Sequence, residues 1–259
     1  MKLNFQIAYH TDTGTEKRTN QDCLGVLEAE TDKGILLMAI LCDGMGGLEK
    51  GEVASATLVR VFEKWFQEEL PVLLAAENPL MEIQYSWERI IKTQNLNIAE
   101  YGRQCHIQMG STLTVLLIME DGTYLIGHVG DSRVYVIRNE GLDILTQDQT
   151  VTANEVRLGK MTIEQAAADP RRNVLLQCIG ASRIVEPDFI RGQAKPGECY
   201  MLCSDGFRHE VDEEEIQKAF APKNNIDEKA MKENTKRLVG LNMERGEQDN
   251  ISVVLLKLV

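Results

Sequence analysis

The sequence predicts an α+β layered domain, on three observations. Short apolar runs recur along the chain, two long segments near its start carry helical stripes, and its last residues are strongly apolar. The runs are Ile35–Cys42, Leu113–Met119, Tyr124–Val129, Val134–Ile137, Tyr200–Cys203 and Ile251–Val259. They are short, often β-branched and bounded by Gly, Asp or Asn, which marks buried strands rather than helices. Gly51–Leu70 places Ala54, Leu58, Val61, Phe62 and Trp65 on one helical face, and Met81–Tyr101 does the same with Ile83, Trp87, Ile90, Ile91, Ile98 and Tyr101. Each stripe is predicted to be core, packed on a sheet. Later helices are predicted over Glu213–Phe220 and Asp227–Leu241. The terminal run is predicted to pair inside a sheet, because so apolar a tail would not be left free. Strands at both ends of the chain with a helical pair near the start give the layered α+β class.

Between the strands lies a more polar insert, Gln149–Asn173, in which Thr162 and Gln165 have capping-box spacing, so a short helix starts there. No Pro/Gly/Ser-rich linker or internal repeat divides the chain, which predicts one domain over 1–259.

The chain has 259 residues, 43% of them hydrophobic and 26% charged, so a sizeable core can be buried. The net charge of −12 repels nucleic-acid phosphates and argues against a general nucleic-acid binder. Six cysteines are scattered with no Cys-x-x-Cys pair, which reads as reduced and intracellular. No apolar stretch approaches the ~20 residues of a membrane span. The first residues lack the basic-then-apolar pattern of a leader, so the expected address is cytoplasmic, without membrane attachment.

The chemistry is carried by aspartates at the ends of apolar runs. Asp43 lies in Leu-Cys-Asp-Gly-Met-Gly-Gly (41–47), Asp205 in Leu-Cys-Ser-Asp-Gly-Phe (202–207) and Asp131 in His-Val-Gly-Asp-Ser-Arg (128–133). Asp249 precedes the last run, and Asp22 ends Thr-Asn-Gln-Asp (19–22). A strand end places a carboxylate rigidly, and a glycine beside it allows a sharp turn and close approach to the backbone carbonyl. One Asp-Gly pair is ordinary turn chemistry. Several converging carboxylates would repel one another, and hard divalent cations relieve that repulsion. Oxygen-only ligands favour Mg²⁺ or Mn²⁺ over zinc. Two such ions can activate a water and hold a phosphoryl oxygen, and they would reverse the local field of an acidic chain.

In order, these segments resemble the metal-dependent protein phosphatase family, also called protein phosphatase 2C. The resemblance rests on Asn-Gln-Asp (20–22), Asp-Gly-Met-Gly-Gly (43–47), Gly-Ser-Thr (110–112), Gly-Asp-Ser-Arg (130–133), Leu-Thr-Gln-Asp (145–148), Leu-Gln-Cys-Ile-Gly (176–180), Cys-Ser-Asp-Gly (203–206) and Asp-Asn-Ile-Ser-Val-Val (249–254). It implies two packed antiparallel β-sheets flanked by helices on both outer faces. It also implies hydrolysis of phosphoserine and phosphothreonine by direct attack of a water bridging two divalent metals, Mn²⁺ or Mg²⁺. Asp22, Asp43 and the carbonyl of Gly44 would hold the first ion. Asp43, Asp205 and Asp249 would hold the second, and Asp131 with Asp205 a third, weaker one. The insert 149–173 resembles the flap beside the active site of bacterial members, where Arg157, Arg171 and Arg172 would meet acidic phosphoprotein segments. Phosphorylated proteins as substrates and a cognate serine/threonine kinase follow from the same resemblance.

Two positions depart from the family. An arginine that grips substrate phosphate usually stands five residues before the first metal aspartate; here that residue is Lys17, followed by Arg18. Lysine binds phosphate as a point charge without arginine's bidentate fork, so both are candidates. The Asp-His usual after Leu-Thr-x is Asp148-Gln149, and glutamine cannot act as a near-neutral acid. His128, inside a strand, is predicted to be a packed, hydrogen-bonded residue. No Gly-x-Ser-x-Gly elbow or P-loop is present, which excludes a serine nucleophile of that kind and a P-loop enzyme. The remaining alternatives are a narrow-substrate phosphatase of one regulatory protein and a non-catalytic module that keeps the fold.

Overall fold

A computed structural model describes residues 3–45 and 50–259. Two five-stranded antiparallel sheets form its centre. The first has the order β1-β10-β9-β6-β7, with β1 Phe5–Asp12, β10 Ile251–Leu258, β9 Cys199–Cys203, β6 Arg133–Ile137 and β7 Leu142–Ile144. The second has the order β2-β3-β4-β5-β8, with β2 Asp22–Thr31, β3 Gly34–Asp43, β4 Leu113–Ile118, β5 Thr123–Val129 and β8 Asp188–Gln193. The helices are α1 Gly51–Glu68, α2 Leu70–Leu73, α3 Pro79–Cys105, α4 Val151–Arg157, α5 Ile163–Ala168, α6 Glu213–Phe220 and α7 Glu228–Glu244.

Strand alternation divides the apolar residues into three layers. In β3, Leu36, Met38, Ile40 and Cys42 face α1 and α3, while Leu37, Ala39 and Leu41 face the other sheet. In β10, Val253 and Leu255 pack with α6 and α7, while Val254, Leu256 and Leu258 join the middle layer. Such strands are buried on both faces, so their sequences are continuously apolar. The α1 and α3 stripes behave as predicted: Leu58, Phe62 and Trp65 meet Ile83, Trp87 and Ile91 over the second sheet. Trp87 sets its ring edge-on to Phe62 and Trp65, with centroids 5.8 and 5.5 Å apart. Trp87→Ala would remove both contacts and open a cavity, at a cost of about 3–5 kcal/mol.

Several expectations need adjustment. Tyr101 is 52% exposed and lies outside the core, one turn beyond the last buried apolar residue of α3, Ile98. The segment 51–70 is broken before Pro71, which opens the short helix α2. The capping box at Thr162 and Gln165 is formed and starts α5, and the insert holds a second helix, α4, capped by Thr150. Strands β1, β2, β7 and β8 are not among the apolar runs, and each forms an edge of a sheet.

Candidate active site

The five aspartates converge because of strand direction. In the β2–β3 register Asp22 stands opposite Asp43, so the start of β2 and the end of β3 coincide. Asp131 follows β5, Asp205 opens a single 3₁₀ turn just after β9, and Asp249 precedes β10. Antiparallel pairing brings all of these strand ends to one end of the two sheets.

Neighbouring backbone and hydroxyl groups hold Asp43 in place. Its N–H donates to Thr112 Oγ1 at 2.9 Å, and its carbonyl accepts from the Thr112 N–H at 2.8 Å and the Ser111 hydroxyl at 2.9 Å. Thr112 in turn lies 3.1 Å from the hydroxyl of Ser132. The Gly-Ser-Thr and Gly-Asp-Ser segments are thereby one bracket. Gly44 donates to the carbonyl of Gln21 at 3.0 Å. A Cβ on Gly44 would fall 2.5 Å from the carbonyl group of Gly51, so only glycine fits. Gly46 and Gly47 of the same motif lie outside the described residues.

Asn250 ties the two sheets together. Its side-chain carbonyl accepts from the Gln21 N–H at 2.8 Å, and its amide donates to the carbonyls of Thr13 and Thr19. Buried Glu247 aims Asp249 by accepting its N–H at 2.8 Å, and its other oxygen meets His209 at 3.0 Å. His209 also lies 3.5 Å from Asp205. Thr112, Glu247 and Asn250 are site residues that no strand-end Asp pattern marks. Each lies in or beside a quoted motif, and that adjacency was the available signal.

The electrostatics of this end are severe. Both oxygens of Asp22 are buried with no hydrogen-bond partner of normal geometry among the described residues. Burial, and then the charges of Asp205 and Asp249, push its carboxyl up to about 7, and the nearby Ser252 and Ser204 hydroxyls offset only part of this. Asp43 is raised well above the carboxylate range by burial and by Asp22, Asp205, Asp131 and Asp249. Asp131, 5% exposed, is pushed up to about 7 by burial and Asp205, against the pull of Arg208. Among the described residues no three His, Cys, Asp or Glu side chains are gathered at ion-binding distances, in keeping with repulsion among like charges. The donor set nonetheless fits hard cations. Its atoms are carboxylate oxygens, one carboxylate is buried without a hydrogen-bond partner of normal geometry among the described residues, and the residue after Asp43 is a glycine because no Cβ fits there.

Lys17 Nζ sits 2.9 Å from Asp249 Oδ1. Burial would lower its pKa, but the Asp249 hydrogen bond and the charges of Asp249, Asp43 and Asp205 outweigh that and leave it raised. Arg18 is exposed beside it. His128 is buried, with Nδ1 3.0 Å from Thr114 Oγ1 and Nε2 3.2 Å from the Gln147 carbonyl, as predicted for a packed histidine. Gln149 is also structural: its amide nitrogen donates to Asp188 at 2.7 Å, and its oxygen accepts the Gly130 N–H at 2.8 Å.

Beside the cluster, Arg133 grips Asp148 through two parallel bonds of 2.8 Å. A cavity of about 590 Å³ opens there between α4, α5 and the aspartate-bearing end, lined among others by Arg133, Val156, Ile163, Arg172, Arg208 and His209. Of the insert's arginines, Arg172 reaches this cavity. Arg171 pairs with Glu155 and Asp169, and Arg157 donates to Asn154.

The sequence matches the protein phosphatase 2C family over residues 11–239. This chain belongs to the protein phosphatase 2C family. It is 34% identical over 252 residues to a Listeria monocytogenes protein named serine/threonine phosphatase stp, covering 96% of this chain and 94% of that one. It is 30% identical over 254 residues to a putative protein phosphatase 2C-type of Streptococcus pyogenes, covering 97% of both. Its fold superposes on the serine/threonine phosphatase Stp1 of Staphylococcus aureus with a TM-score of 0.85 at 26% identity, over 98% of this chain and 95% of that one. The catalytic domain of the phosphatase PstP, solved with two manganese ions, matches with a TM-score of 0.78 at 28% identity over 99% of both chains.

Proposed function

We propose that this chain removes phosphate from serine and threonine of phosphorylated proteins, using divalent cations held by the aspartates at the end of the two sheets. The observation that carries this reading is Asp22, a buried carboxylate with no hydrogen-bond partner of normal geometry among the described residues, set in register opposite Asp43. Family membership and the two manganese ions of the PstP structure support it. Asp22, Asp43 and the Gly44 carbonyl are assigned to the first ion, and Asp43, Asp205 and Asp249 to the second, with Mn²⁺ or Mg²⁺ as the cation. Bound there, such ions would neutralise the carboxylates and supply the Lewis acidity that lowers the pKa of water for attack on phosphorus.

The chain's own groups set the geometry. Thr112 and Ser111 fix the backbone of Asp43, Glu247 fixes that of Asp249, and Asn250 holds the 13–21 loop against β10. Lys17 and Arg18 on that loop are the candidate phosphate-binding cations. Lys17 reaches into the cluster, and Arg18 faces solvent. The region 149–173 acts as a flap, and the cavity beneath it receives the chain flanking the phosphorylated residue. Residues 1–259 work as one catalytic domain. A cytoplasmic location and a serine/threonine kinase that supplies the substrates complete the proposal; no helix of the described residues is long and apolar enough to cross a membrane.

The test is hydrolysis of a phosphothreonine peptide by purified protein with Mn²⁺, with Mg²⁺ and with EDTA. Turnover that requires the cation is the expected result. A folded protein inactive with either cation on a panel of phosphopeptides would refute the general phosphatase reading.

A further inference from the structure

Arg208 directly follows Asp205-Gly-Phe, and its backbone N–H donates to the Asp205 carbonyl at 3.0 Å, closing the single 3₁₀ turn. That turn carries the side chain back into the acidic end. The guanidinium donates through Nη2 to the backbone carbonyl of Asp131 at 3.0 Å. The same nitrogen lies 3.4 Å from Asp148 Oδ2 and 4.0 Å from Asp131 Oδ2. Asp148 cannot swing away, because Arg133 holds both of its oxygens. Arg208 is thus anchored on one side by Asp148 and turned on the other toward Asp131. Its Nε is buried without a partner among the described residues. Attraction to the surrounding carboxylates, rather than a complete set of hydrogen bonds, keeps it there.

From this placement we propose that Arg208 is a built-in counter-ion for Asp131 and Asp205, so that this chain holds two divalent cations and has no usable third site. The inference rests on the two-ion reading above. An ion shared by Asp131 and Asp205 would have to settle beside a guanidinium that is always charged and fixed in place. Like charges at such separations, in a partly buried site, repel strongly. A neutral side chain at 208 would take away the guanidinium that faces Asp131, and the position would become more attractive to a cation.

The test is equilibrium dialysis of the full chain against MnCl₂, counting Mn²⁺ per chain, for wild type, Arg208→Gln and the double variant Arg208→Gln/Asp131→Asn. Wild type is expected to hold two ions. Arg208→Gln is expected to gain a third, at least tenfold tighter than any third binding to wild type, and the double variant to lose it. Three ions on wild type, or identical isotherms for wild type and Arg208→Gln, would overturn the inference. Should circular dichroism show Arg208→Gln unfolded, Asp131→Asn alone decides: an unchanged count of two supports the inference, and loss of an ion overturns it. Wild type that binds no Mn²⁺ would remove the two-ion reading itself and this inference with it, a result distinct from all the others.

Discussion

Two sets of carboxylates lie side by side at one end of this molecule and are balanced in opposite ways. Asp148 has two guanidinium groups: Arg133 grips it bidentately, and Arg208 approaches from the other side. Burial would raise its carboxyl, but the Arg133 bond and the charges of Arg208 and Arg133 prevail and hold it below the usual carboxylate range. Asp22 and Asp43 face each other across β2 and β3, and both are pushed upward by burial and by neighbouring aspartates. The ammonium that the chain brings to that side, from Lys17, is spent on Asp249. A carboxylate that the chain balances is part of the fold. One that it leaves unbalanced is where the proposed function puts a cation from outside.

The contrast should separate in mutants. Asp43→Asn should cost about a thousandfold in turnover, the scale of losing a main charge-stabilising group, while circular dichroism shows the fold retained. Near-normal turnover would erase the distinction. Asp148→Asn should act on stability instead, because it strands two mostly buried guanidinium groups. A loss of about 3–5 kcal/mol in urea unfolding is expected. Stability within experimental error of wild type would mean that Asp148 is not a structural charge.

Protonation sharpens the comparison further. Asp22 has a folded pKa near 7 and an ordinary value when unfolded, so the folded, metal-free protein binds more protons between the two. Its contribution to stability is present at low pH and is lost as pH rises through about 7. Metal-free wild type should therefore melt roughly 5 °C lower at pH 8 than metal-free Asp22→Asn, which lacks that ionisation. Equal melting temperatures would count against a buried, unbalanced Asp22. The smallest effect should come from the region 149–173. Arg172 is exposed, so Arg172→Ala should weaken turnover of acidic phosphopeptides by about threefold, with the difference vanishing in high salt. An effect independent of salt would rule out a charge contact.

Much of this fold is legible in the sequence, and the part that is not has a physical pattern. The strands visible as apolar runs are β3, β4, β5, β6, β9 and β10, all flanked on both sides within their sheets. The four that the runs miss are the sheet edges. β2, with Glu28 and Glu30 exposed, and β8, with half of its residues exposed, mix polar and apolar residues because one side has no neighbouring strand. Tyr101 continues the helical period of the sequence one turn beyond Ile98, the last buried apolar residue of α3. At the site, the aspartates were legible because a strand-end carboxylate beside glycine is a local pattern. Arg208, Glu247 and Asn250 act through contacts 38 to 237 residues away in the chain, or across a turn whose direction no spacing reveals. Which carboxylates the chain balances for itself was readable only once the strands were paired.

The most direct test of the central claim is the melting temperature of wild type and Asp43→Asn across a Mn²⁺ titration. If the unbalanced aspartates are the ion site, Mn²⁺ at a hundred times its Kd should stabilise wild type by about 2.7 kcal/mol, roughly 5–10 °C in melting temperature, and leave Asp43→Asn nearly unmoved. Equal shifts in both proteins would place the ions elsewhere and contradict the account.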